Sequence, residues 1–373
     1  MTVDAPIWAE VDLGCIRRNA QRIKGMLQPG TRLLAVVKAN AYGHGEVEAA
    51  RAAIEGGADW LGVARVQEGL ALRRTGIDRP ILLLAEPPPG ALSAAVAFDL
   101  TPTVYTERSV RELADLAAMQ ATRIKVHVKV DTGMHRYGVA CEHAEEFLGL
   151  IGARGSVDVE GIWTHFAVAE DVTNPFTIKQ CSRFMELLAS MAPRDGLIRH
   201  ICNSAGTITL PSAHLDMVRA GIAIYGIYPA PRLAPLVDLE PAMSVKSRVG
   251  LVKRLAAGEA ISYGQRYTLS RDAYVATIPC GYADGLRRSL SNNGDVLIRG
   301  RRYGISGTIT MDHFLVDVGD DSVEVGDEVV ILGSQGGEWI TAQEIADRID
   351  TIPYEVVCGI SARVPRYYRD SAP

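Results

Sequence analysis

A lysine ends the first strongly apolar run of this chain. Leu33 to Val37 is followed by Lys38, then by Ala39-Asn40-Ala41-Tyr42-Gly43-His44-Gly45, and a helical pattern begins near Glu46. A lysine at the end of a buried strand is costly unless it escapes to solvent along its stem, finds a partner or does covalent work. Other reactive groups recur in comparable places. The apolar run 124–130 yields Lys129 and then Asp131-Thr132-Gly133-Met134-His135-Arg136, and the run 157–163 leads into Thr164-His165-Phe166. The run 198–202 leads into Asn203-Ser204, and 216–225 carries Arg219-Ala220-Gly221-Ile222. Backbone N–H groups and a hydroxyl around Ser204 and Gly221 suit a phosphate, although Ser204 could equally be a plain helix N-cap.

The elements that must position these groups alternate steadily. Strand-like runs lie at 33–37, 60–64, 81–85, 100–104, 124–130, 157–163, 198–202 and 216–225, with helix-like stretches such as 46–56, 66–74, 106–119, 142–151 and 175–191 between them. The strands are continuously apolar and β-branched, as parallel strands buried on both faces are. About eight strand–helix units in about 230 residues predict a (β/α)8 TIM-like barrel, in which function collects at the C-terminal ends of the strands. An open doubly wound sheet is the rival, but no GxGxxG follows the first strand.

Three prolines in Tyr228-Pro229-Ala230-Pro231-Arg232-Leu233-Ala234-Pro235 mark a linker, so the expected domains are 1–235 and 236–373. Beyond it, 243–255, 274–279, 295–298, 314–318 and 328–332 read as strands and 341–350 as one short helix. This predicts a mostly β C-terminal domain. The strand 7–11 precedes the barrel and is expected to pack with that second domain.

Composition excludes several classes. The 373 residues suffice for roughly two domains with a sizeable core. A net charge of -5 gives no footprint for nucleic acid. The six cysteines show no CxxC spacing, which argues against a zinc site or a disulfide framework. No signal peptide and no bilayer-length apolar run are evident, so the expected location is cytoplasmic.

The stretch from Ala35 to Gly45 resembles the pyridoxal-phosphate lysine motif of the alanine racemase family, and the resemblance runs along nearly the whole chain. It takes in Val130 to Arg136, Thr164-His165-Phe166-Ala167, Asn203-Ser204 and Val218-Arg219-Ala220-Gly221-Ile222. Further on it includes Ser262-Tyr263-Gly264, Gly281-Tyr282-Ala283-Asp284-Gly285, Met311-Asp312, Tyr354-Glu355-Val356 and Arg363-Val364-Pro365-Arg366-Tyr367-Tyr368. Each motif is weak alone; their order and spacing make the match specific. His313 and Tyr137 depart from the pattern, where glutamine and leucine are more usual.

The resemblance implies a pyridoxal-phosphate barrel followed by a β domain, acting on alanine as a homodimer with shared active sites. It implies that Lys38 carries the cofactor and that Tyr42, Asn203, Ser204, Gly221, Ile222 and Tyr354 hold it, chiefly at its phosphate. Arg219 would face the pyridine nitrogen, with His165 between Arg219 and the catalytic Tyr263. Arg136 would bind the substrate carboxylate, steadied by a Lys129 that is often carbamylated in this family. Tyr263 and Met311 would come from the other subunit, and Asp312 and Tyr282 would support the site. Racemisation then uses Lys38 and Tyr263 as bases on opposite faces of Cα. Arg219 in place of a carboxylate speaks against a decarboxylase on the same fold. The long second domain speaks against a barrel-only cofactor-binding protein, and crowding by Tyr354 and Met311 favours alanine over serine.

Overall fold

The computed structural model describes residues 5–372, and the chain divides into two compact units. One comprises Cys15–Ala41 and Glu46–Glu240; the other comprises the N-terminal segment through Gly14, Tyr42–Gly45 and the chain from Pro241 onward.

The larger unit is a parallel barrel. Strands Arg32–Val36, Trp60–Val63, Ile81–Leu83 and Leu100–Thr101 pair in sequence, each parallel to the next. Pro102, which lacks an N–H, divides the fourth position, and Thr103–Val104 continues it against Ile124–Asp131. Val157–Trp163 and Ile198–His200 follow. Met217–Ala220 pairs with the first barrel strand, and the N–H of Arg219 donates to the Cys202 carbonyl at 3.0 Å, which closes the ring at eight positions. Leu33, Leu34, Leu61, Ile81, Val126, Val128 and Ile162 are wholly buried, which accounts for the unbroken apolar runs of the sequence. Helices Glu46–Glu55, Val66–Arg74, Glu107–Met119, Ala144–Arg154 and Phe176–Ser190 alternate with the strands.

Two details differ from the sequence reading. Only Met217–Ala220 of the run 216–225 is a strand, and Ile222–Tyr225 coils into a 3-10 turn capped by Gly226 at φ 78°. The helix Ser204–Thr209 takes its N-cap from Asn203, whose Oδ1 accepts from the Gly206 N–H at 2.9 Å, so Ser204 is not the cap.

In the other unit, Ile7–Asp12 lies between Met243–Arg248, antiparallel, and Arg366–Arg369, parallel. That sheet continues through Glu328–Gln335 and Asp295–Ile298 to Arg301–Gly304. A second sheet joins Leu251–Leu255, Ala273–Ile278 and Phe314–Gly319. The run 243–255 is thus two strands, and there are two α-helices after residue 341, Ala342–Arg348 and Pro353–Cys358. The second goes beyond the one expected helix; Pro353 opens it, at the first helical position, where a proline's missing N–H costs nothing. A short ladder, Ala260–Ile261 with Tyr267–Thr268, carries the Ser262–Arg266 loop.

Leu61 follows the inward-facing Trp60, so it points to the opposite face of its strand, and it has no exposed surface. Leu61→Ala should lower unfolding free energy by about 2–5 kcal/mol, read from the midpoint of urea denaturation.

Candidate active site

In the barrel unit the candidate residues meet at the C-terminal ends of the strands. Arg219 is heavily bonded and only 3% exposed. Its Nη2 donates to the carbonyls of Thr164 (2.8 Å) and Ile201 (2.9 Å) and reaches Nδ1 of His165 at 3.2 Å. Its Nη1 donates to Nδ1 of His200 at 2.9 Å, and the Trp163 ring lies 4.6 Å from the guanidinium carbon. Burial pulls its pKa down to about 9, which still leaves a cation at neutral pH. Among the described residues no acceptor takes its Nε–H.

Burial, then the charges of Arg219, Lys129, Arg136 and Lys38, hold the His165 imidazole well below its ordinary value. A neutral ring that accepts from Arg219 at Nδ1 must carry its proton on Nε2. The His165 loop is held from behind by Gln180, a wholly buried residue that the sequence reading did not single out. Its Nε2 donates to the His165 carbonyl (3.0 Å) and to Thr132 Oγ1 (3.3 Å), and its Oε1 accepts from the Ala167 N–H at 2.8 Å. Thr132 and Thr164 share a further hydrogen bond of 2.8 Å. The loops after the fifth and sixth barrel strands are therefore tied together.

Lys129 is 1% exposed, with its Nζ 4.7 Å from the Trp163 ring centre and 5.9 Å from that of Tyr137. Burial, then the neighbouring charges of Arg136 and Arg219, pull its pKa down to about 7. Asp131 is turned to another task. Its carboxylate accepts from the N–H groups of Gly133 (2.9 Å) and His135 (3.0 Å) and meets the His135 ring at 3.1 Å, shaping the turn that presents Arg136. Arg136 is exposed, and no carboxylate pairs with it among the described residues. Ser204 Oγ accepts from the N–H of Gly221 at 2.8 Å, which brings the two candidate phosphate-binding loops together, with Ile222 buried directly after Gly221.

The segment after Lys38 has an uncommon backbone. Ala39, Asn40, Ala41 and Tyr42 are all left-handed, at φ 54°, 54°, 53° and 53°. Each such L-residue costs roughly 1–2 kcal/mol, so the turn persists only because its surroundings impose it. The Ala39 N–H donates to Glu68 Oε1 at 2.7 Å, the Ala41 N–H to the Val37 carbonyl at 2.9 Å, and Asn40 Oδ1 accepts from the Glu46 N–H at 3.0 Å.

Tyr42 and the remaining candidates belong to the other unit. The Tyr42 ring is buried, 6.1 Å from that of Tyr354 on the helix Pro353–Cys358. Burial, then Tyr354 and Cys358, push the Tyr42 hydroxyl far above its ordinary value, so it remains a neutral donor. The next residues leave no room for side chains: a Cβ on Gly43 would strike the Val357 carbonyl, and one on Gly45 the Tyr368 hydroxyl. Tyr263 is 74% exposed, on a loop where Ser262 holds φ 64°. Ser262 Oγ donates to the Thr308 carbonyl at 2.6 Å, and Thr308 Oγ1 to the Tyr263 carbonyl at 2.8 Å. Met311 is 53% exposed, and Tyr282 is exposed too. Asp312 pairs with Arg363 at 2.9 Å, and Arg363 reaches Asp284 at 3.0 Å.

Two family profiles cover nearly all of the chain: the alanine racemase N-terminal domain matches residues 11–229 and the alanine racemase C-terminal domain residues 242–368. The chain belongs to the alanine racemase family. It is 50% identical over 366 residues to the alanine racemase of Symbiobacterium thermophilum, covering 97% of both chains. It superposes with a TM-score of 0.93 on the Bacillus anthracis alanine racemase with bound L-Ala-P, at 36% identity over 100% of this chain and 97% of that one. The Bartonella henselae alanine racemase with covalently bound pyridoxal phosphate gives a TM-score of 0.87 at 27% identity, over 98% of this chain and 100% of that one. The groups at the barrel rim suit that cofactor. They include a primary amine on Lys38, a buried guanidinium with an untaken Nε–H, and a hydroxyl and amide brought together at Ser204 and Gly221.

The strain at residues 39–42 is testable in the cofactor-free protein. Ala39 is exposed. Ala39→Val should therefore lose more than about 1 kcal/mol in urea unfolding, whereas Ala39→Gly, free of the Cβ clash, should lose nothing. Lys129 adds a pH dependence. With a folded pKa of about 7 and an unfolded value near 10.4, the unfolded chain holds a proton between those values that the folded chain has released, so stability rises with pH across that window. In bicarbonate-free buffer, Lys129→Met should remove that part of the rise in unfolding midpoint between about pH 7 and 10.

Proposed function

We propose that this chain interconverts L- and D-alanine with pyridoxal phosphate, with Lys38 and Tyr263 as bases on opposite faces of the substrate. When bound, the cofactor supplies an electron sink that acidifies the Cα–H of an amino acid. The residues do the rest. The Lys38 amine, at the end of the first barrel strand, holds the cofactor and then serves one face. Ser204, Gly221, Ile222, Tyr42 and Tyr354 hold the phosphate, with Asn203 acting through its N-cap. Arg219 gives its Nε–H to the pyridine nitrogen. A guanidinium cannot readily release a proton, so Arg219 would offer that nitrogen a hydrogen bond without protonating it, which would restrain the sink and limit side reactions. Arg136 takes the substrate carboxylate. Lys129, with a pKa of about 7, has a substantial neutral fraction near pH 7, the form a carbamylation requires. That carbamate would give Arg136 an anionic partner, which no described residue provides.

The observation that carries this reading is Arg219: a buried cation whose Nη1 and Nη2 bond to barrel groups while, among the described residues, its Nε–H is untaken, beside a neutral His165. Tyr263 and Met311 stand out on exposed loops. This supports their use by a second copy of the chain, so that a head-to-tail homodimer shares its sites; Asp312 and Tyr282 support those loops. The proposed domains are a cofactor-holding barrel, 1–235, whose first strand 7–11 packs with the second domain, and a β domain, 236–373, that supplies the tyrosine. The product would serve peptidoglycan synthesis in the cytoplasm. No helix among the described residues is long and apolar enough to cross a membrane.

Holoenzyme incubated with L-alanine in deuterated water should yield racemic alanine carrying deuterium at Cα. Labelling without inversion would remove Tyr263 from its role, and no labelling by cofactor-loaded protein would remove alanine as substrate. Lys38→Ala and Tyr263→Phe should each abolish racemisation. Mixed and reassembled in equal amounts, they should recover about a quarter of wild-type activity, because half of the dimers would then contain one intact site of two. No recovery, with mixed dimers shown to form, would count against shared sites.

A further inference from the structure

Inside the barrel a line of buried polar groups runs from Arg219 toward the N-terminal ends of the strands. Arg219 Nη1 meets His200 Nδ1 at 2.9 Å, and His200 Nε2 meets His127 Nδ1 at 2.8 Å. His127 Nε2 faces Glu160 Oε2 at 3.8 Å, and Glu160 Oε1 is paired with Lys125 at 2.8 Å. Both histidines have no exposed surface. Burial holds each below its ordinary pKa, with Arg219 adding its charge and, at His127, Glu160 opposing, so both rings are neutral near pH 7.

Chemistry fixes the direction of this line. Arginine has no acceptor, so His200 Nδ1 must be bare and its proton must sit on Nε2. That proton goes to Nδ1 of His127, which must then carry its own proton on Nε2. The result is a one-way array of donors ending at a carboxylate. His127 Nε2 has no hydrogen-bond partner among the described residues, and only the Glu160 carboxylate compensates its buried N–H.

Two backbone features are built around the same contact. Val126 is opposite Val159 and His127 is opposite Gly161, so Glu160 is the extra residue of a β-bulge, the device that re-aims a side chain. Gly161 itself leaves space for the imidazole, since a Cβ there would lie 2.5 Å from His127 Cε1 and Nδ1. Trp60 and Trp163 close the remaining sides, 5.4 Å from the His127 ring and 5.6 Å from the His200 ring.

We propose that His127 and Glu160 are positioning residues for Arg219, holding through His200 a single direction of hydrogen bonding that keeps Nη1 engaged and leaves Nε–H for a bound acceptor. If His127 offered no acceptor, His200 would be free to place its proton on Nδ1. A donor would then face a donor, and the guanidinium would turn away. The consequence for turnover rests on the alanine reading above; the consequence for the histidine protons does not.

The test therefore begins without cofactor or substrate. In 15N-histidine-labelled apoenzyme, long-range 1H–15N spectra should show His127 and His200 each protonated at Nε2 alone. In His127→Phe, His200 should show a mixture of tautomers; His127→Asn, which restores an acceptor near the Nδ1 position, should return it to one. In the holoenzyme, His127→Phe and Glu160→Gln should lower kcat roughly two- to thirtyfold with KM for alanine unchanged, and His127→Asn should recover most of the loss. A wild-type His200 protonated at Nδ1 would overturn the proposal. So would a well-folded His127→Phe that keeps the single tautomer, or one whose kcat stays at the wild-type value. If neither His127 variant folds, the wild-type spectrum and Glu160→Gln still decide it. A wild-type enzyme that fails to turn over alanine but shows the two Nε2 tautomers would sink the substrate reading and leave the array standing.

Discussion

A guanidinium buried inside a barrel is the constraint from which most of this structure can be reasoned. Such a cation is tolerable only when its N–H groups find acceptors. Here they find two carbonyls after the sixth and seventh strands and two neutral imidazoles, His165 and His200. The strand ends must stand where those acceptors can reach, so the register of the closing strands and the chemistry at the rim are one problem. The histidines are neutral because Arg219 is charged and the interior is dry. Arg219 remains charged because the histidines and carbonyls accept from it.

The rim is assembled against a gradient of cost. Burial, then the charges of Arg136 and Arg219 and more weakly of Lys38, draw the Lys129 pKa down to about 7. A cluster of cations with so few carboxylates suits anions such as a phosphate and a substrate carboxylate. The same economy governs the backbone. Four successive left-handed residues after Lys38 would not form in isolation. They are held by Glu68, by the cap that Asn40 gives to Glu46, and by glycines at 43 and 45 whose missing side chains let the chain pack closely on Val357 and Tyr368.

The barrel was legible because burial writes itself into composition: strands enclosed on both faces become apolar runs, and their spacing counts the units. The reactive groups were legible because Lys38, His165 and Ser204 follow such a run and Lys129 and Arg219 stand within one. Other features were hidden. Gln180 sits in an ordinary amphipathic helix, and nothing local marks it as the tie between two loops. His127 and His200 lie inside apolar runs, where a histidine is a signal, but their pairing spans 73 residues. Helix Pro353–Cys358, which a proline opens, went beyond the one helix expected there.

By itself, the sequence determined the order of strands and helices, the identity of the groups at each strand end and the family to which they belong. Periodicity and local residue types carry that information. The tertiary structure decided which of those groups touch, which are dry and which carry a proton. Those properties depend on distances between residues far apart in the chain, and on exclusion of water, which no local pattern encodes. Asp131 illustrates the division. Its place after a buried strand was readable, yet only the folded turn commits its carboxylate to Gly133 and His135.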